Sequence, residues 1–162
     1  HLGDGSIVYE DEIKQKEYSL KINYLYVEKF IDLINDGFFK NITNLIFINS
    51  ICRFKDVNCR EDYQYSKDKL FELFKNNVIN FSEKKIRLNS ITLGDVFHDN
   101  SIWKNKFLDE SQKKEYLRKT KLNEKFVNVN DVVSTVDFII YNPSIYGEDI
   151  ILDCGQTYLS NN

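Results

Sequence analysis

Two side chains able to share a proton stand four positions apart in the run Tyr63-Gln-Tyr-Ser-Lys67. On a helix that spacing brings both out on one face. An ammonium beside a phenol favours the phenolate and lowers the tyrosine pKa. A phenol so tuned can give or take a proton near neutral pH, where a free phenol titrating near 10 cannot. The chain has ten tyrosines and abundant lysine, so one such pair also arises by chance as solvated helix surface. Its surroundings argue for chemistry. The short apolar run Asn44-Leu-Ile-Phe-Ile-Asn49 ends in Ser50. Sites in parallel sheets form at strand ends of this kind, and the loop from Ser50 to Tyr63 is long enough to fold the hydroxyl back onto the phenol.

The elements that position these groups follow from periodicity. Residues 1–16 are polar and Gly-containing and read as a loop. Tyr18, Ile22, Leu25, Tyr26, Phe30, Leu33 and Ile34 fall at helical spacing and predict a helix over 17–35, stopped by Asp36-Gly37. The run 44–49 reads as a strand buried on both faces. A second helix is expected over about 63–82, with Leu70, Phe71, Phe74, Val78 and Ile79 apolar, then a second strand over 85–92 broken by Gly94. Residues 95–128 read as polar and irregular, with a helix near 109–119. Asn130 or Asp131 is expected to cap a helix reaching Tyr141, followed by Pro143. Residues 148–153 are the third strand, closed by Cys154-Gly155. Alternating helices and strands require crossover connections and hence a parallel sheet in an α/β fold.

Taken together, these blocks resemble the classical short-chain dehydrogenase/reductase family. Asn44–Ile51 is similar to its "VNISS" strand and Tyr63–Lys67 to "YSASK". Ile86–Gly94 is similar to "IRVNSIAPG" and Tyr146–Gly155 to "ITGQVIVVDGG". Leu20–Tyr24 is similar to the "DVNL" segment, and the separations among Asn23, Ser50, Tyr63 and Lys67 match the family pattern. The resemblance spans about residues 18–156. It implies a Rossmann-like parallel sheet with flanking helices, lacking the N-terminal Gly-rich βαβ half. It also implies an NAD(P)-dependent oxidoreductase interconverting a carbonyl and an alcohol on a small molecule.

In that reading Tyr63 is the general acid/base. Lys67 lowers its pKa and holds the nicotinamide ribose, Ser50 orients the substrate oxygen, and Asn23 holds a relay water. Tyr63, Lys67, Leu93, Gly94 and Val96 contact the cofactor, NAD or NADP, and residues 95–128 cover the substrate. Residues 1–162 form one partial domain. The family forms homodimers or homotetramers, so a second subunit is expected on the helices bearing Tyr26, Phe30, Phe71 and Phe74. An inactive remnant serving as a binding or oligomerisation partner is the alternative.

The chain also departs from the pattern. No Gly-rich strand-to-helix turn precedes the resemblance, since Gly3 and Gly5 lie in a short polar start. The first three or four strands, with the adenine side, are therefore expected to lie outside this sequence. Leu93 replaces a proline and Cys154 a glycine. His98 falls where a threonine contacts the cofactor carboxamide, and reads as a surface loop histidine. An open three-stranded sheet needs further chain or a tight oligomer to cover its edge.

Composition narrows the remaining classes. The 162 residues carry a net charge of -3 with 42% hydrophobic and 29% charged residues, as for one folded domain and not for a nucleic-acid binder. Lys113, Lys114, Arg118, Lys119 and Lys121, interrupted by Glu115, read as a solvated helix face. No apolar run is long enough to span a membrane. The three cysteines, Cys52, Cys59 and Cys154, argue against a disulfide framework and for a reducing, cytoplasmic setting. Their spacing with only His1 and His98 available gives no metal site. The chain contains no Met, so His1 reads as an internal residue or a cloning remnant of a longer protein.

Overall fold

The computed structural model describes residues 10–99, 101–104, 106, 107 and 109–160. His1, Gly3 and Gly5 lie outside the described residues. The predicted loop over 1–16 is overturned at its end. Helix α1 (Glu12–Leu20) starts at Asp11, whose carboxylate accepts from the Ile13 and Lys14 amides. It runs through a π-helical turn (Lys21–Leu25) into α2 (Tyr26–Asn35). The helix ends at Gly37, whose φ of 75° is the left-handed cap that lets the Phe38 amide reach the Leu33 carbonyl.

Strand β1 (Asn44–Ser50) follows, then a 3-10 turn (Ile51–Arg53) and the long helix α3 (Glu61–Glu83). Strand β2 (Arg87–Leu93) returns parallel to β1. After it come β3 (Val96–Phe97), a 3-10 turn (Ile102–Lys104), α4 (Glu110–Thr120), β4 (Val127–Asn128) and α5 (Val129–Tyr141). Strand β5 (Asp149–Leu152) and α6 (Gln156–Ser160) complete the order. The main sheet is parallel in the order β1-β2-β5, and β3 pairs with β4 in a small parallel pair.

The core sits between α3 and the sheet. Ile31, Ile34, Phe47, Leu70, Phe74, Phe81, Ile86 and Leu88 are buried there together. Central β2 is buried on both faces, with Leu88, Asn89, Ser90, Ile91 and Thr92 all covered. Strand β1, for which the sequence predicts burial on both faces, is not, because its outer edge has no partner strand among the described residues and Leu45, Ile46 and Ile48 stay partly open. Arg87 crosses below the sheet to the end of α5, donating to the carbonyls of Ile139, Ile140 and Asn142 at 2.9, 2.7 and 2.9 Å. Those carbonyls have no helical partner of their own.

Four further expectations need correction. The cap of α5 is Asn128, whose side chain accepts from the Asn130 amide, while Asp131 closes the box from the third helical position. The helix expected near 109–119 is present as α4, but the rest of the described residues of 95–128 are less irregular than expected: the rings of Trp103, Phe107, Tyr116 and Phe126 form a satellite core at centroid distances of 5.2–6.2 Å. Lys121 is no surface residue. Its ammonium is fully buried, 2.5 Å from the Asp95 carboxylate, which also accepts from the Tyr116 hydroxyl at 2.6 Å.

The fourth correction concerns cysteine. Cys52 and Cys59 form a disulfide, with Cα atoms 5.7 Å apart, and Cys154 is free. The loop after β1 turns back on itself, and irregular spacing along the chain does not reveal that return. Closing so short a loop stabilises the fold by roughly 2–3 kcal/mol in the chain-entropy account. Among the described residues no helix is long and apolar enough to cross a membrane, and no three His, Cys, Asp or Glu side chains gather as a metal site.

Substitution along α3 separates its two faces. Phe81 is fully buried and Ile79 is 75% exposed. Phe81→Ala is expected to cost about 3–5 kcal/mol, and Ile79→Ala to stay within about 0.5 kcal/mol. Urea titration of the two variants measures both.

Candidate active site

The register of the sheet brings the sequence-derived residues toward one edge. Ser50 and Leu93 are paired at the C-terminal ends of β1 and β2. In parallel sheets that end is where ligands bind, because the crossovers leave a crevice there. Gly94 follows at once, and its amide donates to the Leu152 carbonyl at 2.8 Å. A Cβ on Gly94 would come within 2.8 Å of the Asp153 backbone, so glycine here permits close packing of the β2 and β5 exits. Val96 lies two residues further, paired with Val127 in the small sheet. His98 is exposed in the loop beyond.

Tyr63 is half-buried in the first turn of α3. Lys67 is one turn on, and its Nζ sits 5.4 Å from the centre of the Tyr63 ring. Lys67 is only 3% exposed, and no carboxylate or hydrogen-bond acceptor among the described residues meets its ammonium. Burial alone brings its pKa down from 10.5 to about 8. Asn23 lies in the π-helical turn, a widening often found at functional positions. Its Nδ2 donates to the Ser19 carbonyl at 3.0 Å, and its Oδ1 is buried without a partner. Asn23 and Lys67 both line a cavity of about 390 Å³ along the open edge of β1, walled by Ile22, Val27, Leu45 and Ile48.

Three residues that the sequence reading passed over hold this arrangement. Asn49, buried at the end of β1, accepts from the Ser50 amide at 2.9 Å and donates to the Lys67 carbonyl at 3.2 Å. It links the Ser50 backbone to the turn of α3 that carries Lys67. A polar residue closing an apolar strand was the available signal. Asp62, beside Tyr63, accepts from Gln15 at 3.0 Å, from Ser19, and from Arg60 at 2.9 and 3.1 Å. Burial would raise its pKa, but the hydrogen bonds from Arg60, Ser19 and Gln15 outweigh this and hold it at about 2. This carboxylate fastens the helix bearing Asn23 to the one bearing Tyr63 and Lys67.

Arg53 is the third. Its guanidinium is 4.0 Å from the Phe54 ring centre and 3.6 Å from that of Phe71, and it pairs with Asp149 at 2.7 Å. Asp149 also accepts from the Thr92 hydroxyl at 2.7 Å. The loop after Ser50 is thereby pinned to β2 and β5. The Ser50 Oγ accepts from the Cys52 amide at 3.2 Å, which leaves its own proton to donate.

No protein-family profile and no curated protein matches the chain. Its fold is similar to that of many solved structures. An L-sorbose reductase from Gluconobacter frateurii, complexed with NADPH and L-sorbose, aligns at TM-score 0.79 and 14% identity, over 96% of this chain and 63% of that one. A short chain dehydrogenase family protein from Francisella tularensis subsp. tularensis SCHU S4 aligns at 0.77 and 18%, over 98% and 69%. A 4-hydroxyisoleucine dehydrogenase mutant complexed with NADH and succinate aligns at 0.72 and 19%, over 97% and 64%. The chain thus spans just under two thirds of the reductase and of the 4-hydroxyisoleucine dehydrogenase. The likeness shows the fold, a partial Rossmann-like α/β unit such as these dehydrogenase and reductase structures contain.

The buried ammonium has a measurable signature. A lysine with pKa about 8 in the fold and 10.5 in the unfolded chain binds its proton more tightly when unfolded. It therefore destabilises the fold fully below pH 8, and the penalty fades as pH rises from 8 to 10.5. Lys67→Met is expected to gain about 2–3 kcal/mol at pH 7 and to lose that advantage above pH ~10.5, as read by chemical denaturation at both pH values.

Proposed function

We propose that the chain is the substrate-side part of an NAD(P)-dependent oxidoreductase of the short-chain dehydrogenase/reductase family, interconverting a carbonyl and an alcohol on a small polar molecule. The observation that carries this reading is the pairing of two unsatisfied polar groups, the Lys67 ammonium and the Asn23 Oδ1, at one cavity. Buried groups without partners cost free energy unless something completes them. A sugar hydroxyl and an ordered water supply the missing acceptor and donor, so the residues fit a nicotinamide ribose.

In this reading Tyr63 exchanges a proton with the reacting oxygen, and Lys67 beneath its ring favours the phenolate. Ser50 donates its hydroxyl proton to the same oxygen and orients it. Asn23 holds the water through which Lys67 recovers its proton. Tyr63 and Lys67, with the backbone of Leu93, Gly94 and Val96, would hold the nicotinamide nucleotide, which when bound supplies or accepts the hydride. The region 95–128, ordered by its aromatic cluster and the buried Asp95–Lys121 pair, covers the substrate. The similar L-sorbose reductase is complexed with NADPH and L-sorbose, and the similar 4-hydroxyisoleucine dehydrogenase with NADH and succinate. L-sorbose and succinate are both small and polar, and either nucleotide fits this reading.

A homodimer or homotetramer is part of the proposal, supported by apolar side chains left open on α2. Tyr26, Phe30 and Leu33 are 40–42% exposed. Phe74 is not available for such a contact because it is core, and Phe71 is covered by Arg53. The same open face favours the second reading, an inactive partner that binds through α2 without turning over. Cytoplasmic residence belongs to the first reading, with the Cys52–Cys59 bond then forming and breaking rather than standing permanently closed.

The test is oxidation of NADH or NADPH by the full-length protein against a panel of sugars, keto acids and hydroxy acids. Tyr63→Phe is expected to lower kcat about 10²–10⁴-fold while nucleotide binding, followed by fluorescence titration, is retained. Equal turnover in wild type and variant would rule out Tyr63 as the acid/base. Nucleotide binding without turnover on any substrate favours the partner reading.

A further inference from the structure

We propose that Cys52 and Cys59 form a reversible redox couple governing the order of the loop that joins Ser50 to Tyr63, so that dithiols regulate the site. The effect on turnover rests on the oxidoreductase reading above, whereas the effect on loop order does not.

The two cysteines bracket the segment that joins the two residues. Cys52 follows Ser50 by two positions, and Cys59 precedes Tyr63 by four. Their bond closes the loop between them. The front of the loop has other anchors. The Ser50 Oγ takes the Cys52 amide, and Arg53 is clamped to Asp149 between two rings. In the middle, the Phe54 carbonyl accepts from Gln64 at 2.7 Å and from the Val57 amide at 3.2 Å, and Val57 is buried. Lys55, Asp56 and Asn58 are exposed. Toward the back, the disulfide delivers Arg60 to Asp62, the carboxylate adjoining Tyr63. Opening it frees the segment between the Arg53 anchor and the first turn of α3, so its effect is focused on the loop that joins Ser50 to Tyr63.

Cys52 and Cys59 are half-buried rather than sealed in the core, and the couple requires an external thiolate to reach their bond. The reductant is a dithiol. One of its thiolates attacks a cysteine sulfur, the Cys52–Cys59 bond breaks, and a mixed disulfide forms. The second dithiol sulfur then displaces the cysteine. The pair gains two electrons and two protons to become two thiols, and the dithiol becomes a disulfide. Cys154, outside this loop, remains a thiol in both states and serves as an internal reference.

The experiment uses the full chain equilibrated in oxidising or reducing dithiothreitol buffers. In the oxidised sample a Cys52–Cys59 linked peptide is expected by mass mapping, with Cys154 alone alkylated. On reduction, amide exchange over residues 51–60 should accelerate at least tenfold while residues 87–93 stay unchanged. The Cys52→Ser/Cys59→Ser variant should match the reduced protein in exchange and lose its response to dithiothreitol. Turnover of a substrate found by the panel above should fall at least tenfold on reduction and recover on reoxidation. Absence of the linked peptide, or unchanged exchange at 51–60, overturns the couple. Altered exchange with unaltered turnover overturns its control of the site. A protein with no turnover in either state defeats the oxidoreductase reading instead, and linkage and exchange still decide the couple.

Discussion

Helix α3 can be turned only one way about its axis. Leu70, Phe74 and Phe81 lie on a single stripe and are buried against the sheet and α2. Lys67 falls on the continuation of that stripe, one turn before Leu70, so packing the hydrophobic core draws an ammonium inside with it. The chain tolerates an uncompensated buried charge there, at a cost set by desolvation. Tyr63, one turn earlier, is carried by the same rotation to the rim, where half of it stays open. The position of the two candidate chemical groups is thus a by-product of where three apolar side chains must go.

Around that helix the polar tethers divide the work. Asn49 ties the end of β1 to α3, Asp62 ties α1 to α3, and Arg53 ties the loop after Ser50 to β2 and β5. Each is buried or nearly so, where a satisfied hydrogen bond is strong and a broken one costly. Their combined effect is to fix three separate elements, bearing Asn23, Ser50 and the Tyr63–Lys67 pair. Asn23 Oδ1, buried without a hydrogen-bonding partner, and the Lys67 ammonium, whose pKa is lowered by burial, both belong to residues at the wall of the cavity.

The segment after β2 follows a different economy. It has no long apolar stripe, and its order comes from ring packing around Trp103 together with a buried ion pair between Lys121 and Asp95. Burial lowers the Lys121 pKa and Asp95 opposes this, while burial and then the Asp95 charge raise the Tyr116 pKa. The segment is thereby fastened at Asp95, directly after Gly94. Whatever covers the strand ends is coupled to the residues where a ligand would approach.

Local periodicity and block order were enough to read three parallel strands, the helices between them and the four candidate residues, because apolar spacing and residue type are written along the chain. An open sheet edge was likewise expected from the strand count, though not that it would lie at β1. What only the tertiary structure decided was everything that depends on distant residues meeting. The π-helical turn at Asn23, the burial of Lys121 within a run of surface cations, and the aromatic core of a polar-looking segment have no local signature. Cys52 and Cys59 pair because Arg53 and the Phe54 carbonyl fold their loop back, not because of their spacing. Asn128 caps α5 because the β3–β4 pairing ends there, displacing the start expected at Asn130 or Asp131. Propensity acts between neighbours in sequence, whereas burial, pairing and charge neutralisation are settled between neighbours in space.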